Sequence, residues 1–355
     1  MGSTRLGVKD VEMTRKKTIG GIGIAILVLG FVSCSKKPEP PQTGKSEPVT
    51  TEPTTANPTL PVPASRAPEP QVARGVQTEM RRVKFHLTPR AAAHLEVLAG
   101  ELWPTGKNTM VTFDDKTSFE VRVTNGTVSI RPEALADIMN SYVFAKPDAP
   151  LKDLQVSIDD GKLVIRGKLH TKGDVPFATQ GTLSTTPQGL LRMKTEKISA
   201  LKIPVKGLMG VFGIDLANIV NTAKIQGIGT DKNDLLMDLG TLLPPPHIKG
   251  KVVAVRVDKD AIVTIFGDGG KSLGPPKDKG SYMAFWDNSV KFGKMVMTPT
   301  DLTVLDLDPA DELDWDQDHY QQQLEAGYSK ITSNFGLRTY AKDYGKLKTE
   351  PKAGD

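Results

Sequence analysis

Cysteine is almost absent: the 355 residues hold one, Cys34, which excludes an intrachain disulfide and a Cys-rich zinc site. Aromatic residues make up only 6% of the chain. No run reaches the roughly 18 apolar residues of a transmembrane helix, which excludes a multi-spanning helical protein. An excess of one charge is missing as well. The formal charge is +5, but Arg5, Lys9, Arg15, Lys16 and Lys17 against Asp10 and Glu12 place +3 of it in residues 1–33, leaving +2 for the remainder. That balance gives no ground for a nucleic-acid partner. Proline and glycine are plentiful, at 26 and 33, without a collagen period.

The single cysteine stands at a telling place. Arg15-Lys16-Lys17 precedes a 14-residue apolar run, Ile19–Val32, and Phe31-Val32-Ser33-Cys34 follows. A basic segment, a short apolar segment and a small residue describe a secretory signal. Cys34 directly after Ser33 resembles the lipobox of bacterial lipoproteins, in which the thiol is lipidated and becomes the mature N-terminus. Ser35 resembles the pattern of lipoproteins sent to the outer membrane, facing the periplasm, over those kept at the inner one. The alternative is an uncleaved signal anchor, and either Met1 or Met13 can serve as the start. From Lys36 to Gln71 the chain carries ten Pro and eight Ser/Thr, with no Phe, Tyr, Trp, Ile or Met. Such a stretch cannot bury enough apolar surface to order itself and reads as an extended tether.

The remainder reads as mainly β. Phe119, Val121 and Val123 alternate with polar residues up to Asn125-Gly126, and Val128 and Ile130 alternate after it; the pattern predicts a hairpin turning at Asn-Gly. Leu154, Val156 and Ile158, then Asp160-Gly161, then Leu163 and Ile165 predict a second. Further strands are expected near 176–185, 189–199, 251–257, 261–266 and 302–307. Pro132 opens a helix with Leu135, Ile138, Met139, Tyr142 and Val143 on one face. Residues 205–221 form a second, apolar on nearly every side yet interrupted by Gly207, Gly210 and Gly213, a composition that suits a mobile gate. A third is predicted over 318–330, with Tyr320, Leu324 and Tyr328 as its buried stripe.

No catalytic motif survives inspection. Gly270-Lys271-Ser272-Leu273-Gly274 matches G-x-S-x-G, but Pro275-Pro276 forbids the helix that a nucleophile elbow needs. His86, His94, His170, His247 and His319 show no metal-ligand spacing. Asp314, Asp316, Asp318 and Glu325 match part of a calcium loop, but His319 replaces the required Gly, so the run reads as a helix start. Asp306 and Asp308 could add charge for an irregular calcium site, nothing more definite. Leu242-Leu243-Pro244-Pro245-Pro246 is a stiff linker.

The order from Ile130 to Phe266 carries a family resemblance. A helix leads to Leu151-Lys152-Asp153-Leu154-Gln155-Val156 and then Asp159-Asp160-Gly161-Lys162-Leu163-Val164-Ile165-Arg166-Gly167. Val175-Pro176-Phe177 and Gln188-Gly189-Leu190 mark further strands, and Lys202-Ile203-Pro204-Val205 enters the Gly-rich helix. This resembles the LmeA-like phospholipid-binding family of bacterial envelope proteins, related in shape to tubular lipid-binding domains. The resemblance implies a curved antiparallel sheet around a long helix, enclosing an apolar tunnel for acyl chains.

These readings combine into an α+β fold, a curved, mainly antiparallel sheet packed around one or two amphipathic helices. The expected organisation is a signal over 1–33, a lipidated N-terminus and tether over 34–79, a lipid-binding-like domain over 80–266, and a C-terminal extension over 267–355. The expected function is non-enzymatic binding of a phospholipid or similar amphiphile by a membrane-anchored lipoprotein, without cofactor or metal. Cys34 is the expected lipidation site, and Leu135, Met139, Leu208, Met209, Phe212 and Leu216 the expected lipid contacts. The alternative is a structural or assembly lipoprotein of the envelope with a filled core.

Overall fold

The computed structural model describes residues 75–170, 174–200, 225–232, 234–267 and 277–347. Cys34, the signal, the tether up to residue 74, the G-x-S-x-G match and the expected gate (with Leu208, Met209, Phe212 and Leu216) lie outside the described residues. The tether does not extend to 79 as expected, because Val76–Glu79 already form the buried start of the first strand. Strands dominate, with a few short helices and curved, antiparallel-rich sheets, an α+β fold.

The chain opens with its longest hairpin, β1 (Val76–Thr88) and β2 (Ala91–Pro104), paired antiparallel from Val76↔Leu102 to Thr88↔Ala91. The Thr88 hydroxyl accepts the amides of Arg90 and Ala91, which fixes the two-residue turn. After β3 (Val111–Thr112), β4 (Phe119–Ile130) lies along nearly the full length of β2. Asn125-Gly126 is therefore not a hairpin turn. Both residues lie inside β4, flanked by β2 on one side and β13 (Ile262–Phe266) on the other. Backbone pairing on both edges outweighs the local turn preference, and the strand carries a bulge there instead: Asn125 faces Ala99 while Val123 faces Gly100, leaving Thr124 as the extra residue.

Helix α1 (Pro132–Ile138) follows, with proline in its first turn, where no amide partner is needed, and it continues into a π turn over Met139–Val143. The Asn140 side-chain amide donates to the Leu154 carbonyl and accepts the Leu154 amide, at 2.8 and 2.9 Å, clamping this helix to the next strand. The second sheet then forms in meander order: β5 (Leu151–Asp159), β6 (Lys162–His170), β7 (Asp174–Thr185), β8 (Leu191–Ala200), then β9 (Ile228–Asp231) and β10 (Asp234–Met237), with β10 next to β8. Here the Asp160-Gly161 turn occurs as expected, with φ of +48° and +70° at its two central residues.

A one-turn helix α2 (Leu239–Leu242), capped by the Asp238 carboxylate on the Gly240 amide, returns the chain to the first sheet through β11 (His247–Lys249), β12 (Val252–Val257) and β13. The remaining strands are β14 (Tyr282–Trp286), β15 (Val290–Phe292), β16 (Met295–Met297), β17 (Asp301–Asp306), β18 (Leu313–Asp316), β19 (Tyr328–Ile331) and β20 (Leu337–Ala341). Strand β14 pairs with β1, β17 with β14 and β20 with β17, so residues after 266 supply much of the first sheet, in the same compact unit as the rest. On its outer edge β1 pairs with β14 up to Arg81 and with β18 from Val83; Arg82, at the changeover, has a φ of +51°.

The third helix, α3, is shorter than the periodicity predicts, Tyr320–Glu325. Tyr320 is buried and Leu324 half-buried, but Tyr328 lies exposed on β19. Gly327 marks the stop: its backbone lies against the Tyr340 carbonyl, too close for a side chain. Asp314 and Asp316 belong to β18 rather than to a calcium loop, and Asp316 accepts the amides of Asp318 and His319 on the approach to α3. An aromatic cluster fills this half of the core, with Phe113 stacked on Phe292 at 3.7 Å and edge-on to Phe285 at 5.2 Å.

Candidate functional site

The two main sheets face each other across a shared apolar core that does not close completely, leaving a cavity of about 120 Å³. The first sheet contributes side chains two residues apart, such as Phe85 and Leu87, Val128 and Ile130, and Ile262, Thr264 and Phe266, because alternate residues share one face. Leu163, Leu183, Leu191 and Met237 meet them from the second sheet. Helix α1 closes one side with Leu135, Ile138 and Met139, at the i, i+3, i+4 spacing of one helical face. Leu239 and Leu242 of α2, with Leu243 and Pro246 beyond it, close another.

Of the 26 described residues that line this space, Thr264 alone has a polar side chain, and its hydroxyl already donates to the Val128 carbonyl at 3.1 Å. None of these described residues is charged. Against them a ligand gains little from hydrogen bonds or charge and is held by apolar burial. Leu135 and Met139, expected from the sequence, are both brought to the cavity. The residues that sequence reasoning missed are those of β1 and β2, among them Met80, Phe85, Leu95 and Leu98. Alternation of Val83, Phe85 and Leu87 was the signal available for them.

Several ionisable groups outside the cavity tie strands together. His86 Nε2 lies 2.7 Å from Asp314 and His94 Nδ1 2.7 Å from Glu312, joining the first hairpin to β18 and the loop before it. Buried Tyr282 on β14 donates its hydroxyl to buried Glu79 on β1, which also pairs with Arg81 at 2.7 Å. Burial, reinforced by that carboxylate, pushes the Tyr282 phenol up to about 12, so it remains a donor throughout the physiological range. Among the described residues no histidine hydrogen-bonds a hydroxyl nucleophile, and no helix is long and apolar enough to cross a membrane.

No family model matches the chain, nor does any curated protein or solved structure.

Proposed function

We propose that the β-rich unit binds the apolar portion of an amphiphile, such as the acyl end of a phospholipid, in the cavity between its two sheets, without performing chemistry. The observation that carries this reading is the wall composition, in which the described residues are apolar apart from one hydroxyl that is already bonded. The resemblance to LmeA-like proteins points the same way. So does the signal ending at Cys34, through which the protein would be an outer-membrane lipoprotein facing the periplasm, held to the bilayer by a Pro-rich tether.

Each buried methylene contributes about 0.8 kcal/mol, so a short length of chain gives useful affinity only if most of it leaves water. A cavity of about 120 Å³ resembles in size the engineered void of about 150 Å³ that admits benzene. It is below the roughly 300–1,000 Å³ of sites that enclose a whole small molecule. Binding therefore involves the terminal part of a chain, or a parting of the sheets as the chain enters. The small volume also favours the second reading, a structural envelope lipoprotein with a filled core.

Displacement of a fluorescent fatty acid by phospholipid separates the two. The wild-type protein should bind the probe saturably, and Leu135→Trp, which fills the cavity from a half-buried position, should weaken binding at least about fivefold while unfolding stays cooperative. Absence of saturable binding to the wild type, or equal binding by the variant, contradicts the lipid reading.

A further inference from the structure

Where β17 and β20 end, the first sheet carries a group of carboxylates that the cavity does not explain. Strands β17 and β20 run parallel, with Asp306 opposite Ala341, and the chain beyond each carries aspartates. One carboxylate oxygen each from Asp306, Asp311 and Asp343 lie within 4.8 Å of one another. Asp308 joins them through Lys346, whose ammonium lies 3.0, 3.1 and 2.9 Å from Asp308, Asp311 and Asp343. Three carboxylates thus share one ammonium, and Asp306 lies beside two of them.

Asp306 is the unusual member. It is only 5% exposed, its Oδ1 accepts the Asp308 amide at 2.8 Å, and its buried Oδ2 has no hydrogen-bond partner. A buried acceptor without a partner costs stability unless water or an ion completes it. The bond from Asp308 holds the carboxylate in place, so Oδ2 is not free to turn toward solvent. Asp343 is equally fixed: it is 3% exposed and its Oδ1 accepts the Asp314 amide at 2.9 Å. The loop is held from outside as well, since the Asp311 carbonyl accepts from the Ser281 hydroxyl and the Arg82 guanidinium.

We propose that Asp306, Asp311 and Asp343, with Asp308 at the rim, form a binding site for a calcium ion, in which the Lys346 ammonium stands as the competing cation. An all-oxygen, carboxylate-rich set suits a hard cation over zinc or copper. Oxygens on opposite sides of calcium are about twice the metal–oxygen distance of 2.3–2.6 Å apart, so three oxygens within 4.8 Å of one another can share one such ion. The exposed Asp308 and Asp311 offer a route from solvent, and Lys346, 46% exposed on a short 3-10 turn, can withdraw as the ion enters.

Isothermal titration of calcium chloride into the EDTA-treated full-length protein tests this. One saturable site is expected, with a Kd of about 0.1–1 mM, as in other extracellular calcium modules. Asp306→Asn and Asp311→Asn should each weaken it about tenfold or more, Lys346→Met should tighten it, and Asp316→Asn on β18 should leave it unchanged. Asp311 is exposed, so its variant keeps the test valid if Asp306→Asn fails to fold. Absence of saturation up to about 10 mM, or wild-type affinity in Asp311→Asn, overturns the proposal.

Discussion

Individual side chains in this protein answer to their surroundings more than to their sequence neighbours. Gln323 is fully buried and spends all its capacity on backbone, accepting the Asp316 amide and donating to the carbonyls of Asp314 and Lys342. Gln323→Ala should cost about 2–4 kcal/mol in urea unfolding, because three buried backbone groups lose their partner. Asp306 gives a pH-dependent case. Burial, with the nearby carboxylates of Asp343 and Asp311, raises its pKa from 3.8 to about 6 against the opposing Asp308 amide and Lys346. Between those values the folded protein keeps a proton that the unfolded chain has lost, so this group's stabilisation is present at low pH and is lost as pH rises through about 6. In EDTA, wild type should therefore lose stability between pH 4 and pH 7 relative to Asp306→Asn, by thermal unfolding. A parallel response of the two proteins contradicts this. Neither role was legible from sequence, since one depends on α3 meeting β18 and Lys342 and the other on Asp306 of β17 meeting Asp343, 37 positions on and beyond β20.

At the scale of elements, the sequence was most legible where the local signal and the tertiary surroundings agree. Asp160-Gly161 turns because nothing opposes it, and the strands near 176–185, 251–257, 261–266 and 302–307 lie where alternation puts them. Gly161→Ala should cost about 1–2 kcal/mol by urea unfolding, since its φ of +70° strains any Cβ although open space surrounds it. Asn125-Gly126 has the same local signal and fails, because β2 and β13 hydrogen-bond to β4 across it. The predicted 318–330 helix is right in its start to within two residues and wrong in its length, since three side chains at four-residue spacing do not reveal that Gly327 meets the Tyr340 backbone. Of the candidate site, the helical face of Leu135 and Met139 was readable from its period. The walls supplied by β1 and β2 depend on how two sheets stack, which no single strand encodes.

For the whole molecule, the central feature is that the first sheet is built from both ends of the described chain. Strands β1, β2 and β4 come from residues 76–130, while β14, β17, β20 and β19 continue the same sheet from residues 282–341. A chain ending at Phe266 would expose the long edge of β1 and remove Phe285, Phe292 and Trp315 from the core. It should show no cooperative unfolding transition, whereas deletion of residues 39–70, which carry no aromatic, Ile or Met side chain and few apolar ones, should leave the transition intact. A sharp transition in the chain shortened at 266 would mean that the lipid-binding-like half folds alone. On the reading given above, Cys34→Ser should move the protein from the membrane to the soluble fraction or stall its processing. The variant's thermal unfolding should match that of wild type.

Native mass spectrometry of the full-length protein, purified from membranes in mild detergent, tests the lipid reading most directly. The account predicts a bound mass in the range of a phospholipid or fatty acid that dissociates on activation, strongly reduced in Leu135→Trp. A single apo mass for the wild-type protein, or an adduct unchanged in the variant, would contradict it.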